Sequence, residues 1–248
     1  MNNLSNIEPK EVFRWFYEIN QHPRSSGNEK EVSDFLVQFA KDRNLEVYQD
    51  EILNVIIKKP GTPGYENSEP LIIQGHMDMV CVKTDDSNHN FDTDPIEMIV
   101  EGDVLRANNT TLGGDDGIAV AYGLAILDAD DIPHPPLELL VTTNEETGMD
   151  GAMALTADHL TGTRLLNLDT EVEGDFLVSC SGGSNIDLSF DIAREANSSK
   201  AYKLSISGLK GGHSGVEIDK QRANAIKLAA RLLYLVKADV RLASFDGG

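Results

Sequence analysis

The sequence predicts an α/β protein: a mainly parallel sheet flanked by helices, followed by a second, smaller α+β unit. Three observations carry that expectation. Short apolar runs at Leu71–Ile73, Leu137–Val141 and Leu165–Leu168, bounded by turn signals, suit strands covered on both faces. Helix-period stretches alternate with them, the order expected of a parallel sheet with crossover helices. After Gly174–Cys180 the character changes. Ser181-Gly182-Gly183-Ser184 can act as a hinge, and the strands beyond it alternate apolar with polar residues. The expected boundary divides 1–182 from 183–248.

Taken in order, Pro9 to Asn20 reads as an amphipathic helix with Val12, Phe13, Phe16 and Ile19 on one stripe. His22-Pro23-Arg24-Ser25-Ser26-Gly27 breaks it, and His22 has the setting of a surface residue. A second helix starts near Asn28, which can cap it with Glu31 three residues on. Val32, Phe35, Leu36, Phe39 and Ala40 form its core face. Leu45 to Lys59 reads as two strands around Asn54. Residues 83–95 form a polar loop whose acids and His89 have the composition of a metal cluster but no regular element to position them. Ile96 to Leu105 carries strand, Ile118 to Leu127 an apolar helix, and Gly151 to Leu160 a helix. In the second unit, strands are expected at Ile186–Ile192, Tyr202–Ile206 and Val240–Phe245, with a helix over about 222–236.

Lys and Arg total 21 against 41 Asp and Glu, so the net charge is −20. That excess argues against nucleic acid or an anionic membrane as partner. Cys81 and Cys180 form no CxxC, so no disulfide framework is indicated and a reducing cytoplasm is expected. The amino terminus has neither the basic nor the apolar region of a signal peptide. No run approaches the 18 apolar residues of a membrane helix.

Chemistry gathers at the strand ends. In open α/β sheets ligands bind beyond the carboxyl ends of the strands. Leu71–Ile73 leads to His76 and Asp78, whose side chains share one side of an extended chain. Leu137–Val141 leads to Glu145 and Glu146, and Leu165–Leu168 to Asp169. Asp115 and Asp116 stand at the start of the Ile118 helix, where the helix dipole favours the ionised form and one of them can cap. The preceding glycine-rich loop lacks the Lys and the spacing of a phosphate-binding loop. One imidazole among several carboxylates is an N/O ligand set suited to zinc, manganese or cobalt. Two ions would need a bridging carboxylate, for which Asp115 is a reasonable choice, and the two glutamates offer one ligand and one base. Asp78 could fix the tautomer of His76.

Five motifs then appear in order: Gly75-His-Met-Asp78, Leu112-Gly-Gly-Asp-Asp-Gly117, Thr143-Asn-Glu-Glu-Thr-Gly148, Leu166-Asn-Leu-Asp-Thr170 and Gly208-Leu-Lys-Gly-Gly-His-Ser-Gly215. The chain resembles the co-catalytic zinc metallopeptidases that include aminoacylase and glutamate carboxypeptidase. Within them it looks most like the branch that cleaves Xaa-His dipeptides. The resemblance implies a zinc-peptidase catalytic domain with a lid domain that dimerises, and two divalent ions, Zn²⁺ with Mn²⁺ or Co²⁺ as alternatives. It makes His76, Asp115, Glu146 and Asp169 metal ligands, with Asp115 bridging. Glu145 becomes the general base, Asp78 the residue that orients His76, and His213 a substrate-binding residue of the lid. It implies a cytoplasmic homodimer acting on small peptides. The same machinery serves tripeptidases, carboxypeptidases and deacylases. One departure stands out. The family carries a further His ligand near the end of a chain about twice as long, and nothing here matches it. The reading is therefore of an amino-terminal portion, whose second metal site is incomplete and which alone could be an inactive single-metal fragment.

Overall fold

The computed structural model describes residues 4, 6–170, 172–180, 182, 184, 186–211 and 217–247. The chain divides into two compact units, Met1–Ser179 and Cys180–Gly248.

The first unit is built on a five-stranded mixed sheet. Its strands are β1 (Glu46–Gln49), β2 (Val55–Lys59), β3 (Leu71–His76), β6 (Leu137–Thr142) and β7 (Arg164–Asn167), in the order β1-β2-β6-β3-β7. β3 runs parallel to both β6 and β7, with His76 opposite Thr142 and Gln74 opposite Asn167. The three apolar runs that end in His or acid are therefore the parallel part of the sheet, and their carboxyl ends share one edge. β2 joins β6 antiparallel, and β1 joins β2 antiparallel. A separate hairpin is formed by β4 (Met98–Glu101) and β5 (Val104–Ala107).

One face of the sheet carries three helices: α1 (Lys10–Ile19), α2 (Lys30–Asp42) and α3 (Gly114–Asp128). Val12, Trp15, Phe16 and Ile19 of α1, and Val32, Leu36, Phe39 and Ala40 of α2, pack into one cluster with Val55, Ile57, Ile73, Leu139 and Val141 from the strands. Each Val, Leu, Ile or Phe side chain among them removed from water contributes about 1.5–3 kcal/mol. Gly123 of α3 lets the helix lie on the sheet, since a Cβ there would come within 2.3 Å of Leu139 Cδ1. The opposite face is covered more thinly. Ile56, Ile72 and Leu140 meet Leu155 and Leu160 from a stretch holding only α4 (Asp150–Ala154) and a 3-10 turn at Ala157–His159. The single helix expected over 151–160 is thus two short pieces. The predicted start of α2 also moves by a residue: Glu29, not Asn28, is its N-cap.

The second unit holds a 3-10 turn (Ile218–Lys220) and α5 (Ala225–Leu235), capped by the side chain of Asn224 accepting from Lys227 N–H. The helix expected over 222–236 is present. The three expected strands are not assigned among the described residues. The alternation Ile186, Leu188, Phe190, Ile192 is there, but all four side chains are exposed. A strand needs a partner ladder as well as a pattern, and these segments make none.

Candidate metal centre

β3 ends at His76, and its ring is the hub of the site. The imidazole is buried, at 1% exposure. Its Nδ1 lies 3.3 Å from Asp78 Oδ1 and 3.0 Å from the Asp78 carbonyl oxygen. Its Nε2 lies 3.1 Å from Asp115 Oδ1 and 3.8 Å from Glu145 Oε2. Burial alone would lower the His76 pKa. Its contacts with the Asp115 and Asp78 carboxylates outweigh burial and raise it to about 11. An imidazole flanked on both nitrogens by carboxylates is held strongly basic when no other cation shares them.

Asp78 is fully buried and saturated with donors. Ser26 Oγ–H donates to Oδ2 at 2.8 Å, Glu145 N–H to Oδ1 at 3.0 Å and Glu146 N–H to Oδ2 at 3.2 Å. Burial would raise its pKa, but His76 and these donors hold it at about 2. One carboxylate therefore fixes both the histidine ring and the backbone that carries the two glutamates. Glu29, at the start of α2, extends the clamp by accepting Asn144 N–H at 3.1 Å. On the far side of that turn Asn54 accepts Thr143 N–H at 3.1 Å and donates to the Gly151 carbonyl at 2.9 Å. Asn144 itself takes φ +57°, a left-handed conformation that Asn tolerates better than most residues.

The paired aspartates do unlike things. Gly113, at φ +68°, is the N-cap of α3, and neither aspartate caps the helix with its side chain. Their shared peptide bond is cis. Asp116 is buried and its Oδ2 accepts the His76 backbone N–H at 3.1 Å. Burial, with Asp169 and Asp115 nearby, raises its pKa to about 7 against the opposing pull of His76. Asp115 faces outward, its side chain 51% exposed. The carboxyl pKa values of Glu145 and Glu146 are both raised, first by partial burial and then by neighbouring acids.

Three overlapping sets have ligand atoms within 4.8 Å of one another: His76, Glu145 and Asp169; His76, Asp115 and Glu146; and Asp115, Asp116 and Asp169. One nitrogen and several carboxylate oxygens at that spacing fit a borderline or hard divalent cation. All the sequence-predicted residues of the first unit thus converge, namely His76, Asp78, Asp115, Glu145, Glu146 and Asp169. His213 lies outside the described residues. The His89 loop stays apart, its Asp94 accepting Asn90 N–H locally. Sequence reasoning missed Arg24, Ser26, Glu29, Asn54 and the backbone role of Asp116. All five act through contacts distant in sequence, and only a buried polar setting would have flagged them.

Arg24 lies beneath the site at 2% exposure. Burial lowers its pKa to about 10, against the favourable pull of Asp78, Cys81, Asp116 and Asp115.

No family model matches the chain. Cytosol non-specific dipeptidase of Escherichia coli (strain K12) is 39% identical over 252 residues, covering 100% of this chain and 52% of that protein. The solved aminoacylhistidine dipeptidase from Vibrio alginolyticus superposes with a TM-score of 0.71 at 37% identity, over 93% of this chain and 48% of that one. Both similarities run over almost the whole of this chain. A tripeptidase from Staphylococcus aureus shares the fold, with a TM-score of 0.56 at 23% identity over 67% of this chain and 44% of the other. The chain spans about half the length of the dipeptidases it matches. No helix among the described residues is long and apolar enough to cross a membrane.

Proposed function

We propose that this chain carries the catalytic machinery of a metal-dependent dipeptidase acting on Xaa-His peptides. The observation that carries the reading is the convergence of one imidazole and five carboxylates in three overlapping sets with ligand atoms within 4.8 Å. In this reading His76, Asp169 and Glu146 would hold the ions, with Asp115 as the carboxylate they would share. The donor set suits Zn²⁺, with Mn²⁺ and Co²⁺ as further candidates. Bound there, such ions supply a Lewis acid for the scissile carbonyl and lower the pKa of a coordinated water.

The rest falls to the chain's own residues. Glu145 takes the proton of the attacking water and returns it to the leaving amine. The raised pKa of its carboxyl, from partial burial and neighbouring acids, suits that exchange. Asp78 keeps the His76 ring oriented and the Glu145–Glu146 backbone in register. His213, in the smaller unit, would bind the substrate's carbonyl or carboxylate. Residues 1–182 would form the catalytic domain and 183–248 the lid, through which two copies pair. The cytosolic relative supports a cytoplasmic location.

Elemental analysis of the purified 248-residue chain, alongside hydrolysis of β-alanyl-histidine, tests the reading. One or two ions per chain are expected, and absence of any bound metal overturns it. One ion without hydrolysis identifies a half-built site. Where the wild type turns over, Glu145→Gln should retain metal and lose turnover by about 10²–10⁴-fold. Wild-type-like turnover in that variant overturns the base assignment.

A further inference from the structure

Arg24 is the largest side chain among the fully buried residues, and among the described residues no carboxylate pairs with it directly. Its guanidinium instead gathers oxygens from three segments. Nη1–H donates to the Met77 carbonyl at 2.9 Å and to the Asp78 carbonyl at 3.3 Å. Nη2–H donates to the Gly113 carbonyl at 2.6 Å and to Asn20 Oδ1 at 3.2 Å. The backbone joins in, with Met79 N–H donating to the Arg24 carbonyl at 3.1 Å. Its Nε–H has no hydrogen-bond partner among the described residues. A buried charge with an unpaired donor is costly to keep.

What Arg24 joins accounts for keeping it. Met77 and Asp78 follow directly from His76, and Gly113 precedes Asp115 by two residues. The flat fork of a guanidinium spans both segments at once, which a single ammonium cannot. The glycine motif is shaped around it. A Cβ on Gly113 would lie 2.1 Å from Arg24 Nη2, and one on Gly117 would lie 2.7 Å away. Two of the three glycines in Leu112-Gly-Gly-Asp-Asp-Gly117 are therefore room for this guanidinium.

We propose that Arg24 is a positioning residue: its buried guanidinium ties the His76–Asp78 segment to the Asp115 segment and so sets the spacing of the metal ligands. The inference rests on the metal-centre reading. Arg24 touches neither substrate nor ligand atoms and acts through the two backbones it binds. Its positive charge also sits beneath a cluster of carboxylates and moderates their repulsion.

The test is titration of the metal-stripped 248-residue chain with Co²⁺, followed by visible absorption, with circular dichroism and thermal unfolding as checks on the fold. Arg24→Lys preserves charge and removes the fork. It should remain folded, bind Co²⁺ at least about ten-fold more weakly and shift the absorption bands. Gly117→Ala leaves Arg24 in the chain but presses on Nη2 from within α3. It should shift the bands in the same direction by less, and it decides the matter if Arg24→Lys fails to fold. Wild-type Co²⁺ affinity and spectrum in folded variants would overturn the proposal while leaving the metal reading intact. A wild-type chain that binds no Co²⁺ overturns both.

Discussion

Glutamates stand near both ends of β6, Glu138 within its start and Glu145 and Glu146 in the turn beyond its carboxyl end, and they are treated in opposite ways. At the amino end the Glu138 carboxylate is buried and accepts from Thr161 N–H, Thr161 Oγ–H and Gly162 N–H at 2.7–3.0 Å, with Lys58 Nζ 3.6 Å away. Burial would raise its pKa, but these donors lower it. At the carboxyl end Glu145 and Glu146 lend their backbone N–H groups to Asp78, while their own carboxyl pKa values are raised. A carboxylate that serves the fold has its lone pairs filled by the chain. One that serves a site is left short of donors, and its supports are spent on the backbone beneath it.

The largest break in that pattern should come from Asp78→Ala. The change strands the N–H groups of Glu145 and Glu146 and the Ser26 hydroxyl, and leaves the His76 ring only the backbone carbonyl of residue 78 on that side. Each unmet buried donor costs about 1–3 kcal/mol, so a loss of at least about 3 kcal/mol is expected in denaturant unfolding. Metal binding should be lost with it. A loss under about 1 kcal/mol would mean that the loop has other support. Glu138→Gln should cost less, about 1–2 kcal/mol, because an amide still accepts but fills one lone-pair position with a donor. It should leave metal binding untouched, since it acts at the other end of the strand.

Acid should separate two buried aspartates that flank the same histidine. Asp78 titrates at about 2 in the fold, below the ordinary carboxylate value, so its stabilisation is present above about pH 4 and is lost as pH falls towards 2. That term amounts to about 2 kcal/mol. Asp116 titrates at about 7, above its ordinary value, so its contribution is full below about pH 4 and erodes as pH rises towards 7. Metal-free Asp116→Asn should therefore lose less stability than wild type between pH 4 and 7. An unchanged slope in urea unfolding across that range would contradict the assignment.

How much of this was legible in the sequence follows the range of the interactions. The three strand ends were readable because each apolar run and its terminal acid are neighbours in sequence, and a parallel sheet then brings them together. The antiparallel attachment of β1 and β2 was not, since nothing local tells which edge a hairpin takes. Arg24 and Glu29 were invisible for the same reason. Arg24 meets Gly113 across 89 residues and Glu29 meets Asn144 across 115, and neither loop carries a pattern that announces such a partner. In the second unit the alternation of Ile186 to Ile192 was readable and was not enough, because pairing decides a strand.

The smallest stability effect is expected where the chemistry is densest. Asp115 is half exposed, and its carboxylate meets His76 Nε2 at 3.1 Å. Asp115→Asn keeps the shape and an acceptor for the ring, and it removes one charge from a crowded acidic cluster. Lost attraction to His76 and relieved repulsion from Asp116 and Asp169 oppose each other. The net change in unfolding free energy should stay within about 0.5–1 kcal/mol, as for partly exposed positions that leave no buried group unmet. Metal affinity should nonetheless collapse if Asp115 is the shared ligand proposed above, because an amide oxygen cannot supply a carboxylate's negative charge. Calorimetric titration beside thermal unfolding would measure both on one sample. Loss of fold together with metal would place Asp115 with Glu138, among the acids the chain needs to hold its shape. Loss of metal from a chain that unfolds as wild type does would place it with Glu145, among those the scaffold holds ready for something else.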